Sequence, residues 1–124
     1  MNLRMVYNIN TVLGLFFGIT FLLIPDTMLD LYGISLDEAG LMLARLLGAA
    51  YCGYGVLSWF IRDHSDTPAG TAATTGIFAT YVLGLIVAII GQLGGVTNAL
   101  GWSTVAIFLL MSVGFGYYRF MNQG

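Results

Sequence analysis

The first apolar run extends from Met5 to Ile24 and stops at Pro25-Asp26. Proline cannot continue the hydrogen-bond ladder and biases the residue before it away from helix. About 20 residues at 1.5 Å each cover roughly 30 Å, one hydrocarbon thickness. Arg4 ahead of an apolar stretch also invites a signal-peptide reading. The run is longer than a typical signal core, and Ile24-Pro25-Asp26 offers no small-residue cleavage site, so a retained helix is predicted. Between Asp26 and Ser35, the apolar Met28, Leu29, Leu31, Tyr32 and Ile34 are interspersed with Asp26 and Asp30. That mixture suits a short segment lying at an interface, with Gly33 as its stop. Ser35-Leu36-Asp37-Glu38 reads as a capping box, Ser35 accepting from the Glu38 amide while the Glu38 carboxylate reaches back.

A second helix is predicted over 36–61, roughly 39 Å long at 1.5 Å per residue, so it must tilt or project. Arg62-Asp63-His64-Ser65-Asp66 is the most polar stretch and belongs in water. Thr67 and Pro68 follow as N-cap and first helical position, the place proline prefers. A third helix over 68–93 should end at Gly94-Gly95, and a fourth should cover 98–120 after a short turn. With the first span at 5–24, the expected fold class is all-α. One domain over 1–124 forms a membrane-embedded antiparallel four-helix bundle, with a short interfacial segment between helices 1 and 2.

Composition agrees with the pattern. The 124 residues are 58% hydrophobic and 8% charged, against about a quarter charged in a soluble domain. Nearly all charges sit between the apolar runs. An even number of spans puts Arg4, Arg62 and Arg119 on one side, and Asp26, Asp30, Asp37 and Glu38 on the other. By the positive-inside rule both termini are expected in the cytoplasm, and the chain in a bacterial inner membrane. Tyr7, Trp59, Tyr117 and Tyr118 would mark the inner interface, Tyr32 and Trp102 the outer one.

Helices in lipid gain little by hiding apolar groups from one another, so small residues identify packing faces. The third helix carries Ala72, Gly76, Thr80, Gly84, Ala88 and Gln92 at four-residue spacing. The second has Ala44, Gly48 and Cys52, with Ala49 and Gly53 one step round; the first has Gly14 and Gly18; the last has Ser112 and Gly116. These faces serve either packing within the bundle or docking of another chain. The seventeen glycines keep the docking reading open.

Arg45 is the one charge the spans do not place at a water boundary. A charge inside a span is costly unless it pairs or snorkels. Its candidate partners are Glu38, Asp26, Asp30 and Gln92, making either a structural clamp, an anion, lipid-headgroup or substrate contact, or a salt bridge to another subunit. Other chemistries find no footing. The single histidine, His64, lies in a loop, so no span offers imidazole ligands to haem or to a chlorophyll magnesium. Cys52 is alone, which excludes an internal disulfide and a two-cysteine relay. No carboxylate lies inside a span, as proton-coupled carriers favour. Asn8, Asn10 and Thr11 suit either a polar path or hydrogen bonds between helices. Nothing forms a nucleophile–base pair, a phosphate loop, a metal site or a nucleic-acid surface.

The run Pro25-Asp26, Leu29, Leu31-Tyr32-Gly33-Ile34, Leu36-Asp37, then Ala44-Arg45-Leu46-Leu47-Gly48-Ala49-Ala50 with Gly53, Gly55 and Trp59, resembles bacterial four-helix membrane proteins of the DoxX-like kind. Gly91-Gln92-Leu93 followed by Asn98-Ala99-Leu100-Gly101-Trp102 fits the same likeness. The resemblance implies four helices in a bacterial inner membrane and transfers no catalytic residue. The leading expectation is a non-enzymatic accessory or assembly subunit of a larger membrane complex. A homo-oligomeric small channel or carrier with its path between protomers is the alternative, and a subunit handling a quinone-like lipid-soluble substrate comes third. No cofactor is called for, although lipid, quinone or pigment contacts need no histidine. Expected partners are the bilayer and other membrane subunits or further copies of the chain.

Overall fold

The computed structural model describes residues 2–121, and among them every regular element is helical. The order is α1 (Leu3–Leu23), α2 (Pro25–Leu31), α3 (Glu38–Ile61), α4 (Pro68–Leu93) and α5 (Gly101–Gly116), with a π-helical turn at Tyr117–Met121. Four stretches are long and apolar enough to cross a membrane: Leu3–Leu23, Glu38–Ile61, Pro68–Leu93 and Gly101–Met121. They hide little of themselves from the surroundings. Phe60, Val87 and Leu110 are 70%, 69% and 68% exposed, so the helices turn apolar faces outward as well as inward.

The predicted punctuation holds at four junctions. Ile24 leaves helical geometry ahead of Pro25, which occupies the first position of α2 and is fully buried. Gly33 (φ +75°) then ends α2 with two reversed bonds, the Ile34 amide to the Leu29 carbonyl and the Gly33 amide to the Asp30 carbonyl, both 3.0 Å. Gly95 (φ +75°) repeats this after α4, through Val96 to Gly91 at 2.9 Å and Gly95 to Gln92 at 3.2 Å. Thr67 caps α4, its hydroxyl accepting from the Gly70 amide at 3.0 Å.

Three starts differ from expectation: α1 begins at Leu3, where the Asn2 side chain accepts from the Met5 amide at 3.0 Å, and α3 and α5 begin later than predicted. Ser35 does not cap α3; the chain is outside regular structure over 34–37, and the extended Asp37 caps instead, its carboxylate accepting from the Gly40 amide at 2.8 Å. A full negative charge answers the positive helix end better than a hydroxyl does. The last helix starts at Gly101 and not near Asn98, because the Asn98 side chain turns back to accept from the Leu100 amide at 3.0 Å.

Packing divides the helices into two close pairs, α1 with α3 and α4 with α5. The first pair approaches backbone to backbone: a Cβ on Gly18 would meet the Gly48 carbonyl oxygen at 2.9 Å, and one on Gly48 would meet the Gly18 oxygen at 2.7 Å. The pairs join through a core of Val6, Tyr7, Ile77, Met111 and Phe115. Within it the Tyr7 ring meets Phe115 edge-on at 5.1 Å. Consecutive α3 and α4 do not pack along their length.

Candidate functional site

Three arginines share one end of the molecule, hereafter the basic end. Arg4 Nε donates to Asp63 Oδ1 at 2.7 Å, tying the start of α1 to the loop after α3. Arg62 donates to Asn8 Oδ1 at 2.9 Å and lies over the Trp59 ring at 3.5 Å. Its Nε is buried with no hydrogen bond, 3.6 Å from Asp63 Oδ2. Arg119 donates to Thr75 Oγ1 at 2.8 Å. The Arg4 hydrogen bond, aided by the charges of Arg4, Arg62 and His64, holds the Asp63 carboxyl below the usual carboxylate range. A lowered folded-state value means stabilisation that is complete above the unfolded value and lost as pH falls through the folded one. Asp63→Asn should therefore remove the part of the acid sensitivity that develops below about pH 4. Melting curves of both proteins from pH 7 to 3 test this. An unchanged difference between them across that range would show that the contact does not report on folding.

The sequence-predicted polar cluster does not assemble around Arg45. That side chain is exposed on α3 and, among the described residues, makes no ion pair with Glu38, Asp26 or Asp30, which are exposed as well. Gln92 engages the turn after α4 instead, accepting from Thr97 Oγ1 at 2.6 Å and donating to the Asn98 carbonyl at 3.1 Å. The small-residue faces also divide. Gly14, Gly18 and Gly48 lie in the α1–α3 contact, and Gly84 lies under the Phe108 ring. Gly53 and Gly76 face open space, Thr80 is exposed and Ala88 is half-buried.

What the helices do enclose is a cavity of about 210 Å³ between the two pairs, against the end that carries α2. Its walls are aromatic: Phe17 and Phe21 from α1, Tyr51 and Tyr54 from α3, Tyr81 from α4 and Phe108 from α5. Tyr81 and Phe108 hold one another edge-on at 5.2 Å. Leu29, Tyr32 and Ile34 roof it, and among the described residues no charged side chain lines it. The floor is polar. Asn10, 2% exposed, donates to Ser58 Oγ at 2.7 Å and accepts from the Tyr81 hydroxyl, so one amide links α1, α3 and α4. Just below, the Tyr7 and Thr74 hydroxyls bond at 2.6 Å.

An apolar cavity of about 150 Å³ stays dry and holds one benzene ring. This one is larger and admits a ring with substituents. Among the described residues no three His, Cys, Asp or Glu side chains gather as metal ligands would. Sequence reasoning noted Asn10 and overlooked Tyr51, Tyr54 and Tyr81. Their signal was a phenol in mid-span, far from the interface positions where tyrosine in a membrane helix usually sits.

Neither curated proteins nor solved structures yield a match to this chain. A family model does: residues 1–120 match the one described as a domain of unknown function, DUF8292, and the chain belongs to that family.

Proposed function

We propose that this is a non-enzymatic membrane protein that binds a neutral, lipid-soluble small molecule in the aromatic cavity. The observation that carries the reading is the cavity itself: ring-lined, larger than one benzene ring, without a charged side chain among the described residues, and with the Asn10 amide bonded to Ser58 and Tyr81 in its floor. Concave apolar sites with a few convergent polar groups are the usual form of small-molecule sites. Four apolar helices with outward apolar faces support a bilayer setting. Within it the chain would form an antiparallel bundle, with the basic end and both termini in the cytoplasm of a bacterium. The DoxX-like resemblance belongs to the same proposal.

The test uses a neutral photoreactive ring, 3-trifluoromethyl-3-(m-iodophenyl)diazirine, with the protein in lipid nanodiscs. Labelling of Phe17, Tyr51 and Tyr81 should saturate, whereas labelling of lipid-facing side chains rises linearly. Thr104→Trp, which places an indole in the cavity, should weaken the saturable component about tenfold or more, equivalent to about 1.4 kcal/mol of binding. Labelling that never saturates overturns the reading.

A second reading, an accessory subunit of a membrane complex, draws on Arg45. It is an exposed guanidinium within α3 that no described residue pairs, beside a helix face on which Gly53 is open. An acidic residue of a neighbouring subunit would answer that charge. Gentle-detergent purification should then recover a stoichiometric second chain that is lost in Arg45→Ala; a lone chain in both proteins excludes this reading.

A further inference from the structure

The cavity is not closed on every side. Tyr54 of α3 and Thr80 of α4 both line it and are both exposed, whereas every other lining residue is buried or half-buried. They stand on α3 and α4, which do not pack along their length. The roof is fastened: the Asn98 amide donates to the Tyr32 carbonyl at 2.9 Å and its side chain donates to the Leu31 carbonyl at 3.0 Å. Towards the basic end, Asn10 and the Tyr7, Ile77 and Phe115 core close the floor. The opening carries no charged side chain among the described residues; its polar groups are the Tyr54 phenol and the Thr80 hydroxyl. The Thr80 hydroxyl is turned onto its own helix, donating to the Gly76 carbonyl at 3.0 Å, and a Cβ on Gly76 would meet nothing within 4 Å.

We propose that the gap between Tyr54 and Thr80 is a lateral portal, through which the ligand enters directly from the bilayer. The inference rests on the cavity being a ligand site. It also restricts the ligand class: an uncharged molecule of about one substituted ring, dissolved in lipid before it binds. A charged or strongly hydrated solute would have to shed its water at a rim that offers, among the described residues, no ion and only the Tyr54 phenol to replace it.

Exchange of the same iodophenyl probe, kept in the dark, separates entry from binding. Fluorine saturation transfer between its bilayer-dissolved and bound trifluoromethyl signals gives the exchange rate in nanodiscs. Thr80→Trp narrows the gap and should slow exchange about tenfold, a barrier rise of about 1.4 kcal/mol. Tyr54→Ala widens the gap and should speed exchange. Asn98→Ala, which loosens the roof, should leave it unchanged. Faster exchange in Asn98→Ala, with neither portal variant altered, overturns the portal and leaves the site standing. No bound signal in the unaltered protein overturns the site. A readout independent of ligand uses the tryptophan of Thr80→Trp as sole reporter, with Trp59→Phe and Trp102→Phe. Phospholipids brominated on their acyl chains should quench it strongly. Protection from them, as when a second copy covers this face, or quenching by aqueous acrylamide instead, also overturns the portal.

Discussion

Replacing Gly48 with valine is expected to drive α1 from α3 and to lower stability by about 3 kcal/mol, the upper end of overpacking penalties. A Cβ at position 48 would lie 2.7 Å from the Gly18 carbonyl oxygen and 2.8 Å from the Leu22 amide nitrogen. Both obstacles are backbone, so no side chain can rotate away, and the helix axes must separate. Gly18 meets the same wall from the other side, with the Cys52 amide nitrogen at 2.7 Å. Separation would forfeit the dispersion contacts along the crossing, which in lipid are the main attraction between helices. Even alanine at 48 should destabilise. Alanine at Gly53 or Gly76 should be neutral or gain up to about 1 kcal/mol, since nothing lies within 4 Å and glycine is the poorer helix former. Reversible denaturation in mixed micelles measures all four. A Gly48→Val protein within about 0.5 kcal/mol of the original, the range of an uneventful surface change, would contradict the close crossing.

The contrast among these glycines shows what periodicity conveys. Four-residue spacing marked Gly14, Gly18 and Gly48 as small faces, and they meet across the crossing. The same spacing marked Gly76 and Gly84 alike, although one is open and the other covered by Phe108. A stripe on one helix does not state which neighbour will reach it. Helix ends were legible for the opposite reason. Pro25, Gly33, Thr67-Pro68 and Gly95 act on their own backbone within one turn, where sequence distance and spatial distance coincide.

Charge and polarity were harder to read. The reading of Arg45 gathered Glu38, Asp26, Asp30 and Gln92 from their expected depth in the bundle, yet Arg45 makes no ion pair with any of the three acids. The basic-end contact joins positions 59 apart, and no local pattern announces Arg4 with Asp63. The cavity was the least legible feature, because it forms where α3 and α4 fail to pack. Its only trace is a set of tyrosines in mid-span, with Asn10 one element away.

Asn10 accordingly bears the second large effect. It is 2% exposed and, among the described residues, is the group that bonds to both α3 and α4, through Ser58 Oγ at 2.7 Å and the Tyr81 hydroxyl. Asn10→Leu keeps the bulk of the side chain and strands two hydroxyls beneath an apolar cavity. Leaving a buried polar group unsatisfied costs about 1–3 kcal/mol, while one bond between membrane helices averages about 0.6. Two lost bonds at a shared node should therefore amount to about 2 kcal/mol. Tyr81→Phe removes one of these bonds together with the hydroxyl that would be stranded, so it should cost less, about 0.5–1 kcal/mol. The combination decides between a network and two separate contacts. In a network, Tyr81→Phe adds nothing once Asn10 is leucine, or restores a little stability by removing the orphaned hydroxyl. Independent contacts would give the sum of the two losses, and that sum would rule out Asn10 as the joint of the floor. A joint would also carry over to the site: in Asn10→Leu the saturable photolabelling of Tyr81 should fall together with stability, since α4 is then no longer held against α1 at the level where the ligand rests.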